Sequence, residues 1–202
     1  AFGDSQAGRS EVMKRLVTKG LSDSSEGIDH EFAPDEILAD GDVVSGQDWS
    51  LQAIWTPGHL GNHLCFEWDD AVFSGDHVMG WAPSMVSPPD GDLTAFMAST
   101  ERLAKRRDRV FYSGHGDPIE NPAERTHWLL EHRRKREKAI VAALSQGHTT
   151  LDALTSVVYA DTPKNMHPAA SRSLFAHLID LIEQSRITTG SEISISAEFK
   201  LI

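Results

Sequence analysis

The spacing of apolar positions changes character several times along the chain. Over residues 9–19, Val12, Met13, Leu16 and Val17 recur at helical intervals and Gly20 stands as a stop, which predicts a short helix. Residues 21–35 are rich in Ser, Asp, Glu and Gly without any period, the pattern of a long surface loop. Short β-type runs then follow at residues 42–44, 49–55, 63–68 and 71–73, punctuated by Asp40-Gly41, Ser45-Gly46 and Asp69-Asp70. Runs of that length joined by turn residues predict a sheet built from successive hairpins.

Helical spacing returns over residues 92–106 through Leu93, Phe96, Met97, Thr100, Leu103 and Ala104, with Asp90 or Asp92 as the cap. Val110-Phe111-Tyr112 is a short buried strand running into Ser113-Gly114-His115-Gly116. Three helices are expected over residues 123–146, 151–159 and 168–184, with Thr149 or Thr150 capping the second and Pro168 in the first turn of the third. Residues 186–202 alternate through Ile193, Ile195, Ala197, Phe199 and Leu201 around Thr189-Gly190-Ser191, a β-hairpin after helices and so the outline of a winged helix. A boundary near residue 122 divides the chain into 1–122 and 123–202, with the long helix crossing between the parts.

Composition narrows the classes. A chain of 202 residues that is 40% hydrophobic can bury a real core, and no window approaches the run of about 20 apolar residues that a membrane span needs. Nothing at the N-terminus has the form of a signal peptide, and the single cysteine, Cys65, excludes an internal disulfide framework; both fit a cytoplasmic protein. A formal charge of −11 argues against a general nucleic-acid coat protein. The start at Ala1-Phe2-Gly3-Asp4 reads as the end of a strand, so the chain is expected to begin inside a domain.

The candidate chemistry lies where β-runs end at glycine. Thr56-Pro57-Gly58-His59, Ser74-Gly75-Asp76-His77 and Ser113-Gly114-His115-Gly116 each put an imidazole or carboxylate beside a residue that lets the backbone turn sharply. Imidazole and carboxylate suit Zn²⁺, with Mn²⁺ and Fe as further options. The remaining histidines, at 127, 132, 148, 167 and 177, lack ligand spacing and are expected to be solvated or capping. Trp81 to Val86 is an irregular apolar loop that either walls a substrate pocket or packs on the sheet.

In their order and setting, these segments resemble the metallo-β-lactamase superfamily. The resemblance implies an α+β fold, a truncated αββα sandwich followed by a small winged-helix-like domain. It makes His59 a ligand of a first metal, Asp76 a bridge and His115 a ligand of a second, with zinc the expected ion and two ions in the intact protein. His63 and His77 are expected to hold loops by hydrogen bonds around these ligands. Residues 89–93, His132-Arg133 with Arg136-Glu137, the run 158–163 and His167-Pro168-Ala169-Ala170 further resemble the β-lactamase-like protein 2 group, whose members append a winged helix.

The chain also departs from the family. The upstream His-any-His-any-Asp-His cluster is missing; Asp29-His30 lacks the preceding histidines, and His30 is not promoted to a ligand. No catalytic residue is therefore assigned within the chain, and it is expected to have little metal affinity and little or no turnover by itself. The implied activity is hydrolysis of an ester, thioester or phosphodiester by activated water. One relative in the group is associated with cleavage of single-stranded RNA, and Arg133-Arg134-Lys135-Arg136 offers a basic patch for such a partner or a solvated helix face. The partner is thus a small-molecule substrate or single-stranded RNA, with homo-oligomerisation possible. A metal-free binding or oligomerisation module is the reading from a different class.

Overall fold

The structure, a computed structural model, describes residues 33–190 and 192–202. The helix expected over residues 9–19, most of the loop over 21–35 and the Asp29-His30 pair lie outside them.

A five-stranded sheet runs in the order β1 (Val43–Ser45), β2 (Ser50–Trp55), β3 (Leu64–Trp68), β4 (Ala71–Gly75), β5 (Val110–Ser113). The first four strands are joined as successive antiparallel hairpins, as the short runs predict. Asp69 takes a positive φ of 55° in the tight β3–β4 turn, a conformation that Asp tolerates better than most residues. β4 and β5 pair in parallel, because the helix α1 (Leu93–Ala104) intervenes and returns the chain in the same direction. Asp92 caps α1, its Oδ1 accepting from the Ala95 amide at 3.0 Å.

One face of the sheet is closed by helices. Ile54, Cys65, Val72 and Phe111 pack with Leu103 of α1 and Leu129 of α2 (Pro122–Ser145) in one core. The other face carries Trp55, Trp68 and Phe73, all partly exposed, with the Trp68 and Phe73 rings stacked at 6.1 Å between centroids.

The far half of α2 turns Ile140, Ala143 and Leu144 into a second core, shared with α3 (Leu151–Val158), α4 (His167–Glu183) and the strand pair β6 (Ile187–Thr189) and β7 (Phe199–Leu201). Thr150 caps α3 through the Ala153 amide. The strand pair is shorter than the alternation of residues 186–202 predicts. Thr189 pairs with Phe199, and residues 192–197 are irregular, with Ile195 exposed. Of the alternating set Ala197 and Phe199 are buried in the core and Ile193 packs against it, while Ile195 and Leu201 stay exposed, so the period of two was carried largely by a loop with a few inward anchors.

Candidate functional site

Sheet topology gathers the candidate residues at one end. Since β2, β4 and β5 run the same way, their C-terminal ends, which lead into His59, Asp76 and His115, lie along one edge of the sheet. β3 runs oppositely, so His63, immediately before it, belongs to that edge too.

Asp76 and His115 meet. His115 Nε2 lies 3.6 Å from Asp76 Oδ2, on a ring that is 70% exposed. Asp76 Oδ1 is buried and has no hydrogen-bond partner, and a Cβ on Gly114 would come within 2.6 Å of it. A carboxylate oxygen held dry and unpaired is costly unless something cationic completes it.

His59 leans on the loop that follows Asp76. Its Nδ1 lies 2.7 Å from the Met85 carbonyl. A carbonyl only accepts, so Nδ1 carries the proton and Nε2 keeps its lone pair. That is the arrangement a ligating imidazole needs. His59 follows β2 and Asp76 follows β4, and β3 lies between those strands. Strand spacing of about 4.8 Å puts those two ends about 10 Å apart at the backbone, and no three metal-competent side chains form one group among the described residues.

His63 fills the gap between them. Its ring stands edge-on to His59 at 6.2 Å and tilted against His77 at 5.7 Å, and its Nδ1 lies 2.8 Å from the Thr56 hydroxyl. Burial, with the His59 ring next, pushes its pKa down to about 3. His77 is fully buried, and burial holds its pKa well below the usual histidine range. The Thr100 hydroxyl donates to the Phe96 carbonyl at 2.7 Å, so it accepts from His77 Nε2 at 3.1 Å, which leaves His77 Nδ1 bare. His63 and His77 are thus neutral struts beneath the edge.

A cavity of about 550 Å³ is lined by Trp81, Asp117, Glu120, Glu124, Arg125 and Trp128 among others. Trp81 lies against Gly116, where a Cβ would sit 2.8 Å from its ring, and lines the cavity, while Val86 packs not on the sheet but against the helices, with Leu93, Phe96 and Ala176. The guanidinium of Arg125 stacks on Trp128 at 4.3 Å and donates to the carbonyls of Met79 and Ala82 at 2.6 Å each.

The run 133–136 does not form a basic face. Arg133 is buried, Arg134 pairs with Glu101 at 2.8 Å, Lys135 lies 3.9 Å from Glu131, and Arg136 donates to the Val158 carbonyl at 2.6 Å and covers the Tyr159 ring. The helix period sends neighbouring cations to different sides, which a linear reading of charge does not show.

His177 departs from the solvated or capping role expected of it. It is 1% exposed on α4, and neither ring nitrogen has a partner. Burial, then the charge of Arg133, pushes its pKa down to about 3. The unfolded chain protonates this ring near pH 6.5, so between those values the unfolded state binds the extra proton and stability falls as pH drops. Between about pH 7.5 and about pH 5 this one group should remove about 2 kcal/mol. Urea titrations of wild type and His177→Leu at both pH values check this: the variant is expected to lose less stability on acidification by that amount.

Comparisons with known proteins bear on the fold. The model of the β-lactamase associated winged helix domain matches residues 150–193. A metallo-beta-lactamase family protein of Thermus thermophilus superposes with a TM-score of 0.75 at 23% identity, covering 94% of this chain and 63% of that one. The chain therefore has the metallo-β-lactamase fold with an appended winged helix.

Within that class it is related to the β-lactamase-like protein 2 homologues, being 32% identical to that of Caenorhabditis elegans over 158 residues, 76% of this chain and 50% of the relative. It is also 31% identical over 120 residues, 57% of this chain and 37% of the relative, to an atrochrysone carboxyl ACP thioesterase of Aspergillus fumigatus. The chain spans about half the length, or less, of these curated relatives.

Proposed function

We propose that this polypeptide is the part of a metal-dependent hydrolase that carries His59, Asp76 and His115, acting on a thioester or ester. The observation that carries the reading is the Asp76–His115 pair with its buried, unpaired carboxylate oxygen, set on the edge where three strands end.

The residues present fit a divalent metal. Asp76 Oδ1 lacks a partner, Gly114 leaves the space beside it open, and the Met85 carbonyl aims the lone pair of His59 away from the loop. Asp76 with His115 would hold it and His59, apart from them, would contribute to a neighbouring ion, with zinc the first choice for such donors. Bound there, the metal supplies Lewis acidity toward a scissile carbonyl and makes water acidic enough to attack at neutral pH.

The chain's own residues do the rest. Asp76 concentrates negative charge where a cation is needed, and His63 and His77, neutral by burial, brace the edge without competing for that charge. Trp81 and Trp128 offer an apolar surface within a mixed cavity for the acyl or leaving group. Asp117, Glu120 and Glu124 on the same wall repel a phosphodiester chain, which with the dispersed cations of 133–136 favours a thioester or ester over RNA. The thioesterase among the relatives supports that choice. Cys65, buried, with its thiol pushed up to about 12, is packed as an inert side chain, in keeping with a cytoplasmic setting.

The test is a hydrolysis assay on the polypeptide as its gene encodes it, zinc-loaded, with a panel of acyl thioesters and esters set against labelled single-stranded RNA. Turnover of a thioester or ester with RNA left intact is expected. Cleavage of RNA alone would replace the substrate class, and no turnover of any member would remove the hydrolase reading.

A further inference from the structure

Arg133 is a charged side chain where stability alone would place an apolar one. It is 3% exposed, its Nε has no partner, and its guanidinium lies 5.3 Å from the Phe96 ring. Burying a guanidinium without a carboxylate costs free energy, and apolar residues of similar volume usually do better. What Arg133 does make is a hydrogen bond from Nη2 to the carbonyl of Ser84.

Ser84 is tied on both sides. Its hydroxyl donates to the His77 carbonyl at 2.9 Å, next to Asp76, and the following carbonyl, that of Met85, accepts from His59 Nδ1 at 2.7 Å. The loop is fixed further along by Arg172 of α4, whose Nη1 donates to the Ser87 hydroxyl at 3.2 Å, and earlier by Arg125 at Met79 and Ala82. All three arginines belong to the helices after residue 121, and all three hold the one loop that orients His59.

We infer that Arg133 is a positioning residue for His59: by anchoring Ser84 it holds the Met85 carbonyl in place, fixes the proton on Nδ1 and leaves Nε2 free to ligate. The helical part of the chain thereby sets the geometry of the site edge. The inference deepens the proposed reading of His59 as a ligand and rests on it for its purpose, while the geometry it invokes needs no metal.

The experiment is long-range ¹H–¹⁵N correlation of the His59 ring in the metal-free polypeptide as its gene encodes it, its signals assigned by their loss in His59→Gln. Wild type is expected to show the Nδ1–H tautomer. Arg133→Met should move most of the ring to Nε2–H. Arg133→Lys, with one charged nitrogen in place of the planar guanidinium fork, should give a mixture, and it carries the test if Arg133→Met does not fold. Arg134→Ala, on the exposed side, should leave the tautomer unchanged. Zinc affinity should fall about tenfold in Arg133→Met, the usual size of an effect relayed through a ligand's hydrogen-bond partner. An unchanged Nδ1–H tautomer in Arg133→Met or Arg133→Lys would overturn the inference. A tautomer shift in a protein whose wild type binds no zinc would instead leave the positioning intact and remove the ligand role.

Discussion

Gly58→Ala should lower the melting temperature by roughly 10 °C, more than any other single-methyl change at the site edge. Gly58 has a φ of +139°, and a Cβ there would lie 2.2 Å from the Cα of Phe96 and 2.4 Å from its amide nitrogen. Those are backbone atoms of α1, held by Asp92 N donating to the Gly58 carbonyl at 2.8 Å and by the Ser99 hydroxyl donating to the Pro57 carbonyl at 2.7 Å. Neither side can give by rotating a side chain. Overpacking of this kind costs about 1–3 kcal/mol, and a left-handed conformation for an L-residue about 1–2 more. A sum of about 4 kcal/mol corresponds to roughly 10 °C for a domain of this size. Calorimetry checks it against Gly147→Ala, where φ is +90° but nothing lies within 4 Å, so only the conformational cost, about 1–2 kcal/mol, should appear. Equal shifts for the two variants would show that the turn carrying His59 does not press on α1.

Asp76→Asn should reduce turnover of the zinc-loaded polypeptide, as its gene encodes it, by about a thousandfold or more while leaving the metal-free fold as stable as before. The substitution preserves shape and removes the charge. Several kcal/mol of charge stabilisation are at stake in a metal-assisted hydrolysis, and each 1.4 kcal/mol is about tenfold in rate. Stability should hold because Asp76 Oδ1 makes no hydrogen bond and Oδ2 only a long contact to an exposed imidazole. Steady-state kinetics and thermal melts on the same preparation separate the two effects. A variant that loses activity only because it unfolds would contradict the role given to Asp76.

Much of this arrangement was legible in the residues themselves. The hairpins of β1 to β4, the Asp92 cap and the helices α1 to α4 fall within a few residues of their expected positions, because short apolar runs and turn residues act locally. That β2, β4 and β5 point the same way is topology, and it followed once α1 separated β4 from β5. Where local signals failed, tertiary packing had decided. The alternation at residues 193–197 is a loop, in which Ile193 and Ala197 turn inward while Ile195 stays exposed. Arg133 and His177 read as surface residues in the sequence because charge and ring chemistry suggest water, yet α2 and α4 bury them against each other's neighbourhood. The relay from Arg133 through Ser84 and Met85 to His59 joins residues separated by 49 and 26 positions through backbone carbonyls, which carry no side-chain signature.

The most direct measurement is the metal content of the polypeptide as its gene encodes it, by elemental analysis after zinc loading and desalting, for wild type and for His59→Ala, Asp76→Ala and His115→Ala. About one to two ions per chain are expected in wild type, with a clear loss in each variant and the largest in Asp76→Ala. Full metal content in all three variants, or none in wild type, would contradict the assignment of these residues as ligands.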